Sequence, residues 1–292
     1  MLFSGVLTAI VTPFRDGKVD EEAYRSLIEW QIAEGVDGIV PCGTTGESAT
    51  LSHAEHQHVI EVCLDQVKGR VKVLAGAGSN CTAETIKLAT FAKQAGADGA
   101  LLITPYYNKP TQEGLYQHFA TVAKAVDIPL VPYNVPGRTG VNMLPATLAR
   151  LAKDYPNVVG VKEATSSMQQ GSEIVQSCPE GFAVLSGDDF TALPLWAVGG
   201  VGVISVTSNI RPRAMKAMWS AFQSGNLAEA RRIHNELFPL HAAMFIESNP
   251  IPVKTSLALM GIIGGEMRLP LYPMSAAHEE QLKAVLKAQG LI

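Results

Sequence analysis

The stretch that decides the fold is Val158-Val159-Gly160-Val161-Lys162-Glu163, followed by an amphipathic segment at 168–177 and a second apolar run at 182–187. A nearly continuous apolar run predicts a strand that is covered on both faces, because a half-exposed strand would alternate polar and apolar residues. Parallel strands need a crossover between them, which is usually a helix. The stretch therefore predicts one βαβ unit of a parallel sheet.

The same alternation recurs along the chain. Further strands are predicted at 6–13, 38–42, 71–76, 99–105, 129–134 and 202–207, and further helices at 21–34, 53–67, 82–95, 111–126, 144–153, 189–198 and 211–223. Asp20, Ser52 and Thr82 are predicted to cap helix N-termini, and Gly35 and Gly96 stand where helices end.

Eight β-then-α units in about 225 residues predict an α/β fold, a (β/α)8 TIM barrel. A doubly wound sheet is the alternative, but the phosphate-loop and dinucleotide fingerprints typical of that class do not occur. The remaining chain predicts helices at 226–246, 252–261 and 276–289. We therefore predict a catalytic barrel at 1–225 and a C-terminal three-helix subdomain at 226–292, which covers a barrel flank or forms contacts between subunits.

Composition excludes several classes of protein. The 292 residues are 47% hydrophobic and 17% charged with a net charge of −4, which fits a large core and not a disordered chain. There is no basic block for nucleic acid and no apolar run long enough to span a membrane, and no signal peptide is expected. Four cysteines without CxxC spacing predict reduced thiols and a cytoplasmic location, with Cys42 as a small buried residue.

Lys162 is out of place in its strand. A buried ammonium loses its hydration, so a lysine in an apolar strand needs an explanation. One explanation is an amine held partly neutral, able to attack a ketone and form a Schiff base. The other is a strand-end lysine that reaches solvent or pairs with Glu163.

Reacting groups of such barrels lie at the carboxyl ends of the strands. The predicted strand ends carry Gly43-Thr44-Thr45-Gly46-Glu47-Ser48, Tyr106-Tyr107, Tyr133 and Arg138. Glycines and hydroxyls suit a small anion, phenols can shuttle protons, and the guanidinium fork suits a carboxylate. Each group alone is equally compatible with an ordinary turn, a core edge or a solvated loop.

Asp188-Asp189 follows another strand, and capping of the next helix is the interpretation preferred to a metal site. No metal and no cofactor is therefore expected. An amine, hydroxyls, phenols and a guanidinium on one rim together predict a Schiff-base lyase or aldolase that acts on carboxylated keto acids.

The motifs match a known family. The chain resembles the dihydrodipicolinate synthase family in Gly43-Thr44-Thr45-Gly46-Glu47-Ser48, Pro105-Tyr106-Tyr107-Asn108, Tyr133-Asn134-Val135-Pro136-Gly137-Arg138-Thr139, Gly160-Val161-Lys162-Glu163-Ala164, Gly187-Asp188-Asp189, Gly202-Val203-Ile204-Ser205-Val206-Thr207 and Asn249-Pro250-Ile251-Pro252-Val253-Lys254. The resemblance runs from Gly5 to the C-terminus.

The resemblance implies condensation of pyruvate with L-aspartate 4-semialdehyde to 4-hydroxy-tetrahydrodipicolinate, in the diaminopimelate route to lysine. It implies a Schiff base on Lys162 and a proton relay of Tyr133, Thr44 and Tyr107, with Tyr107 supplied to a neighbouring subunit of a homotetramer, a dimer of dimers. It also assigns Thr45 to the pyruvate carboxylate and Arg138 to the semialdehyde carboxylate. Gly187 and Ile204 line the pocket.

The resemblance further implies feedback inhibition by L-lysine. The positions that match the family's lysine site are Ser48, Ala49, His53, His56, Asn80, Glu84 and Tyr106. Glu84 suits the ammonium of the effector. For the effector site, the open alternative is a solvated polar helix face at these positions. For the activity, the open alternatives are a sister enzyme, such as N-acetylneuraminate lyase or a keto-deoxy-sugar aldolase, and a non-catalytic barrel.

Overall fold

The computed structural model describes residues 1–292 and contains ten strands. They are β1 (Gly5–Ala9), β2 (Phe14–Arg15), β3 (Lys18–Val19), β4 (Gly38–Val40), β5 (Lys72–Gly76), β6 (Gly99–Ile103), β7 (Leu130–Asn134), β8 (Gly160–Glu163), β9 (Ala183–Ser186) and β10 (Gly202–Ser205). Strands β2 and β3 form an antiparallel pair, and the other eight close a barrel in the order β1-β10-β9-β8-β7-β6-β5-β4. The predicted TIM barrel is confirmed.

Twelve α-helices accompany the strands. They are α1 (Glu21–Ala33), α2 (His53–Val67), α3 (Thr82–Ala95), α4 (Gln112–Ala125), α5 (Pro136–Thr139), α6 (Pro145–Asp154), α7 (Met168–Ser177), α8 (Ala192–Ala197), α9 (Pro212–Gln223), α10 (Leu227–Ala243), α11 (Ile251–Leu259) and α12 (Ala276–Ala288), with 3-10 helices at Ser48–Thr50, Asp189–Thr191 and Thr207–Asn209. The last three α-helices confirm the predicted helical C-terminal part. None of the helices is long and apolar enough to cross a membrane.

The helix ends confirm most of the predicted caps. The Asp20 side chain accepts a hydrogen bond from the amide of Ala23, and Ser52 forms a reciprocal capping box with Glu55. Gly96 ends α3 with φ of 93°, a left-handed conformation that favours glycine. The prediction for Thr82 was wrong, because the N-cap position belongs to Cys81, which makes no side-chain cap bond.

Contacts divide the chain into two compact units. The central unit comprises Met1–Gly5 and Lys72–Ile204, and the terminal unit comprises Val6–Val71 and Ser205–Ile292. Strands β5 to β10 belong almost wholly to the central unit, whereas β4 and the C-terminal helices belong to the terminal unit. The domain boundary expected at 225/226 stays a prediction.

Each unit buries an apolar core. Leu74, Leu102, Val131 and Val161 on successive strands of the central unit are fully buried. In the terminal unit, Leu27, Ile39, Ile60, Met215 and Leu257 are likewise fully buried. This packing fixes the strands, so that the residues at their carboxyl ends start from rigid elements.

Candidate active site

Lys162 lies inside the barrel sheet and not at a solvent-exposed strand end. In the parallel register it pairs with Tyr133 of β7 and Leu185 of β9, and only 6% of its surface is exposed. Register partners on neighbouring strands point to the same face. Accordingly, the Lys162 Nζ lies 4.2 Å from the centroid of the Tyr133 ring. A phenol and an amine therefore share one buried face of the sheet.

The surroundings of Lys162 favour its neutral form. Burial lowers the pKa of the Lys162 amine from 10.5 to about 8; the nearby carboxylates of Asp188 and Asp189 oppose this shift, and the Arg138 guanidinium adds to it. With a pKa of about 8, roughly 9% of the amine is neutral at pH 7, against about 0.04% for an ordinary lysine. A lysine in this state is a competent nucleophile.

Glu163 does not pair with Lys162, so that alternative was wrong. Successive residues of a strand face opposite ways, and the buried Glu163 carboxylate is bonded on its own face. It accepts hydrogen bonds from the Thr165 amide at 2.7 Å, the Asn134 amide side chain at 3.1 Å and the Gln170 side chain at 3.2 Å. This network holds the end of β8 in place without neutralising the lysine.

Gly187 follows β9 beside the end of β8. Its amide donates to the Glu163 carbonyl at 2.7 Å, and a Cβ added to it would lie 2.5 Å from the Cβ of Ala164. Only glycine fits without displacing that neighbour. Ile204, the other predicted pocket residue of the central unit, is fully buried in β10.

We predicted that Asp188 or Asp189 caps the helix after β9, and this prediction was wrong. Asp188 stands at the N-cap position of the 3-10 helix at Asp189–Thr191 but makes no side-chain cap bond. Its carboxylate instead accepts a hydrogen bond from the Ser166 hydroxyl at 3.1 Å, and burial raises its pKa. No group of three or more His, Cys, Asp or Glu side chains is placed to hold a metal ion.

Tyr107 projects from the central unit. Its side chain is 90% exposed, and its φ of 72° is a left-handed value that a bulky residue rarely adopts. Such outliers collect at functional sites, where the surrounding structure holds them. Neighbouring Tyr106 is 40% exposed, and its carbonyl accepts a hydrogen bond from Asn80 at 3.1 Å.

Glu84 and Arg138 are also carried by the central unit. Glu84, on the first turn of α3, accepts a hydrogen bond from the Ser79 hydroxyl. Arg138 lies on the one-turn helix α5, which begins at Pro136 after β7, and its side chain is exposed. The sequence did not predict α5, because four residues carry no helical periodicity. This turn displays the guanidinium beyond the carboxyl end of β7.

Thr44 and Thr45 belong to the terminal unit, on the turn after β4. Thr45 is buried at 3% exposure, and its hydroxyl oxygen accepts a hydrogen bond from the Asn249 side chain at 2.9 Å. The amides of Gly46 and Glu47 donate within the turn, both at 3.1 Å. These two amides are therefore not available to an anion.

The terminal unit contains a second buried lysine that sequence reasoning missed. Lys254 of α11 donates to the Glu47 carboxylate at 2.5 Å and to the Thr12 carbonyl at 2.9 Å, and both charged side chains are fully buried. The signal was present in the sequence, since Lys254 follows an apolar triplet as Lys162 does.

The remaining predicted effector residues lie around the start of α2. Ser48 and Ala49 belong to the 3-10 helix before it, His53 is exposed on its first turn, and His56 is buried at 7% exposure. His53 is thus exposed, whereas the burial of His56 contradicts the alternative that both histidines are solvated. Cys42 is buried as expected at 3% exposure, and burial raises the pKa of its thiol.

Comparison with known proteins identifies relatives over the full chain. The family model described as the dihydrodipicolinate synthetase family matches residues 2–289. A 4-hydroxy-tetrahydrodipicolinate synthase of Nitratidesulfovibrio vulgaris (strain DP4) is 64% identical over 292 residues, which is 100% of both chains.

Solved structures agree with this match. The chloride-inhibited dihydrodipicolinate synthase of Acinetobacter baumannii, complexed with pyruvate, is 46% identical with a TM-score of 0.96 and covers 99% of each chain. The DHDPS of Cyanidioschyzon merolae with lysine bound is 42% identical with a TM-score of 0.97, covering 100% of this chain and 99% of that one. Sequence motifs, barrel and full-length similarity agree: this chain belongs to the dihydrodipicolinate synthetase family.

Proposed function

We propose that the chain is a Schiff-base lyase that condenses pyruvate with L-aspartate 4-semialdehyde to 4-hydroxy-tetrahydrodipicolinate, in the biosynthesis of L-lysine. The observation that carries the proposal is the buried Lys162, with its amine against the Tyr133 ring at 4.2 Å and its pKa lowered to about 8. Family membership and the pyruvate complex of the Acinetobacter baumannii relative support the first substrate. The name of the Nitratidesulfovibrio vulgaris relative supports the reaction.

The proposed reaction begins when the neutral Lys162 amine attacks the carbonyl carbon of pyruvate. Loss of water gives an iminium, which draws electrons from the methyl group, so that a methyl proton leaves and an enamine forms. The enamine carbon attacks the aldehyde, and Tyr133 donates a proton to the new alkoxide. The amine of the condensed substrate then displaces Lys162 as the ring closes. Every electron pair comes from the substrates or the lysine, so the proposal includes no cofactor and no metal.

The other site residues have roles that follow from their chemistry. Arg138, exposed on α5, is proposed to bind the semialdehyde carboxylate through its planar fork. Thr45 is proposed to bind the pyruvate carboxylate, with Gly187 and the backbone of Ile204 lining the pocket. Thr44 and Tyr107 complete the proton relay with Tyr133.

Tyr107 also carries the proposal of a homotetramer built as a dimer of dimers. A phenol that is 90% exposed is poorly placed to act within its own chain, but it is well placed to enter the site of an adjacent copy. We also place the enzyme in the cytoplasm, which fits four cysteines that are all free thiols.

Borohydride trapping tests the reaction. Reduction in the presence of pyruvate should add a pyruvyl group to Lys162, found by peptide mass spectrometry, and Lys162→Ala should show no adduct. Arg138→Met is the matched control, since it should still be trapped with pyruvate yet lose turnover of the semialdehyde. Trapping at another residue, or turnover of N-acetylmannosamine in place of the semialdehyde, would contradict the proposal.

We further propose that L-lysine inhibits the enzyme through Ser48, Ala49, His53, His56, Asn80, Glu84 and Tyr106. The Cyanidioschyzon merolae relative with lysine bound supports this. The half-buried Glu84 carboxylate suits the effector's ammonium. Glu84→Gln should abolish inhibition while leaving turnover without lysine unchanged. Absence of inhibition of the wild-type enzyme by lysine in the millimolar range would refute the regulatory part alone.

A further inference from the structure

We propose that the buried ion pair between Lys254 and Glu47 positions the Thr44–Thr45 turn for the pyruvate carboxylate. Lys254 would thus be a positioning residue for the reaction, although it lies on α11, in the C-terminal helical part. The inference rests on the proposed function, because it concerns the residue that binds the first substrate.

Glu47 is the residue of the turn whose side chain is anchored by residues from the C-terminal part of the chain. Its φ of 53° lies in the left-handed region, which costs an ordinary residue free energy, so that its surroundings have to hold it there. One carboxylate oxygen accepts from the Lys254 Nζ at 2.5 Å, and the other accepts from the Arg268 amide at 3.2 Å. The conformation of the turn two residues after Thr45 is therefore set by groups far along the chain.

Lys254 ties the turn to the segment that follows β1. Its ammonium also donates to the Thr12 carbonyl at 2.9 Å, and the Thr12 hydroxyl in turn donates to the Gly46 carbonyl at 2.7 Å. The ammonium lies over the Phe14 ring at 4.3 Å, and burial lowers its pKa while Glu47 opposes that shift. One cation thus links the turn at 43–48 with the segment at 12–14.

Stability alone is a weak explanation of such a pair. Removing two charges from water is costly, and apolar side chains of similar volume often give equal or greater stability. What an apolar pair cannot supply is direction, because a charged hydrogen bond fixes both distance and angle. The distinctive contribution of Lys254 and Glu47 is therefore the geometry of the turn.

A second hydrogen bond to the turn, from the residue just before α11, indicates the role of that geometry. Asn249, just before α11, donates to the Thr45 hydroxyl oxygen at 2.9 Å, with both residues buried. A hydroxyl that accepts through its oxygen keeps its own hydrogen to donate. The turn therefore presents Thr45 as a donor, which is the polarity that a carboxylate needs.

The test separates positioning from stability. Lys254→Met and Glu47→Gln alone each leave one buried group without its partner and should lower the Tm. The double variant Lys254→Met/Glu47→Gln removes both charges, so its Tm should recover above that of the lower single variant. Its KM for pyruvate should nevertheless stay raised about tenfold, because the tie to the turn is still absent. Borohydride trapping at saturating pyruvate should change less than about threefold, since Lys162 is untouched.

The control is an ion pair at the amino end of β4, the strand whose carboxyl end leads into the Thr44–Thr45 turn. Asp37 precedes β4 and bonds Lys216 at 2.5 Å. Asp37→Asn/Lys216→Met should change the KM for pyruvate less than about twofold. Glu47→Asp serves as a second variant that keeps both charges and shortens the reach by one methylene. It should also raise the KM for pyruvate.

Two results would overturn the inference. One is a KM for pyruvate that returns to the wild-type value in the double variant as its Tm recovers, which would make the pair purely structural. The other is a wild-type KM in Glu47→Asp. A failed proposed function looks different, because the wild-type protein would then not be trapped by borohydride with pyruvate at all.

Discussion

Replacing Lys162 by Met should stabilise the protein at neutral pH while abolishing Schiff-base formation. The amine is 6% exposed, and burial lowers its pKa from 10.5 to about 8. Since one pKa unit corresponds to about 1.36 kcal/mol, the buried ammonium destabilises the folded state by about 3 kcal/mol. Methionine fills a similar volume without a charge, so it removes this cost.

The contact with Tyr133 reduces the expected gain. The ammonium lies 4.2 Å from the centre of that ring, and a desolvated cation over an aromatic face contributes about 1 to 2 kcal/mol that methionine loses. The net gain in the free energy of unfolding at pH 7 should therefore be about 1 to 2 kcal/mol.

The gain in the free energy of unfolding should depend on pH, and the direction of this dependence identifies the buried ammonium as its cause. Below pH 8 the lysine is protonated in both folded and unfolded states, so the full cost is present. Between about pH 8 and 10.5 the unfolded state binds more protons, and the stability of the wild-type protein rises relative to the variant. Above that window the lysine is neutral in both states, and the cost is absent.

Denaturant unfolding of both proteins, at equal concentrations and at pH 7 and pH 10, measures the gap, which is the difference between their free energies of unfolding. Most of the gap seen at pH 7 should vanish at pH 10, and other titrating groups cancel in the difference. A variant that is less stable than the wild-type protein at pH 7, or a gap that does not change with pH, would refute the argument that burial of an ammonium lowers the pKa of Lys162.

Three further predictions concern neighbouring residues. Asp188→Asn removes a carboxylate that raises the pKa of Lys162, so the pH midpoint of borohydride trapping should fall below about 8; a higher midpoint would be inconsistent with this. Gly187→Ala places a Cβ 2.5 Å from that of Ala164 and should cost about 1 to 3 kcal/mol, as read from the Tm. Adding Ala164→Gly should restore much of this loss, and no restoration would point to backbone strain instead. Tyr107→Phe should lower kcat with little change in Tm, because its ring is 90% exposed; an equal loss of Tm would assign it a structural role.

Much of the fold followed from local pattern. Apolar runs and helical periodicity predicted the eight barrel strands and the helices that follow them, because burial of strands and helix faces dictates those periods. The hairpin at Phe14–Arg15 and Lys18–Val19 was missed, since two-residue strands are too short to show a period. Thr82 failed as a cap because its hydroxyl lies 2.9 Å from His118 Nδ1, a contact that sequence cannot show.

In the site, too, local features were predictable from the sequence, and features that depend on distant residues were not. Lys162 was predictable because a charge inside an apolar strand stands out locally, whereas the lowered pKa of its amine depends on burial first and then on the charges of Asp188, Asp189 and Arg138, which only the folded structure brings together. Lys254 carried the same local signal, yet its partner Glu47 lies 207 residues away in sequence. Pairings of that span follow from chain topology, and no local pattern predicts them.

That separation has a consequence for how the enzyme becomes active during its synthesis. The terminal unit is assembled from the two ends of the chain, Val6–Val71 and Ser205–Ile292. Its first segment leaves the ribosome early but has to wait for the last one, since contacts of high sequence separation close only after the intervening chain exists. The Thr44–Thr45 turn is thus among the last parts to acquire its final form. A nascent chain that still lacks α11 already contains Lys162 and its strand, but it does not yet have the contacts of Asn249 and Lys254 that fix this turn.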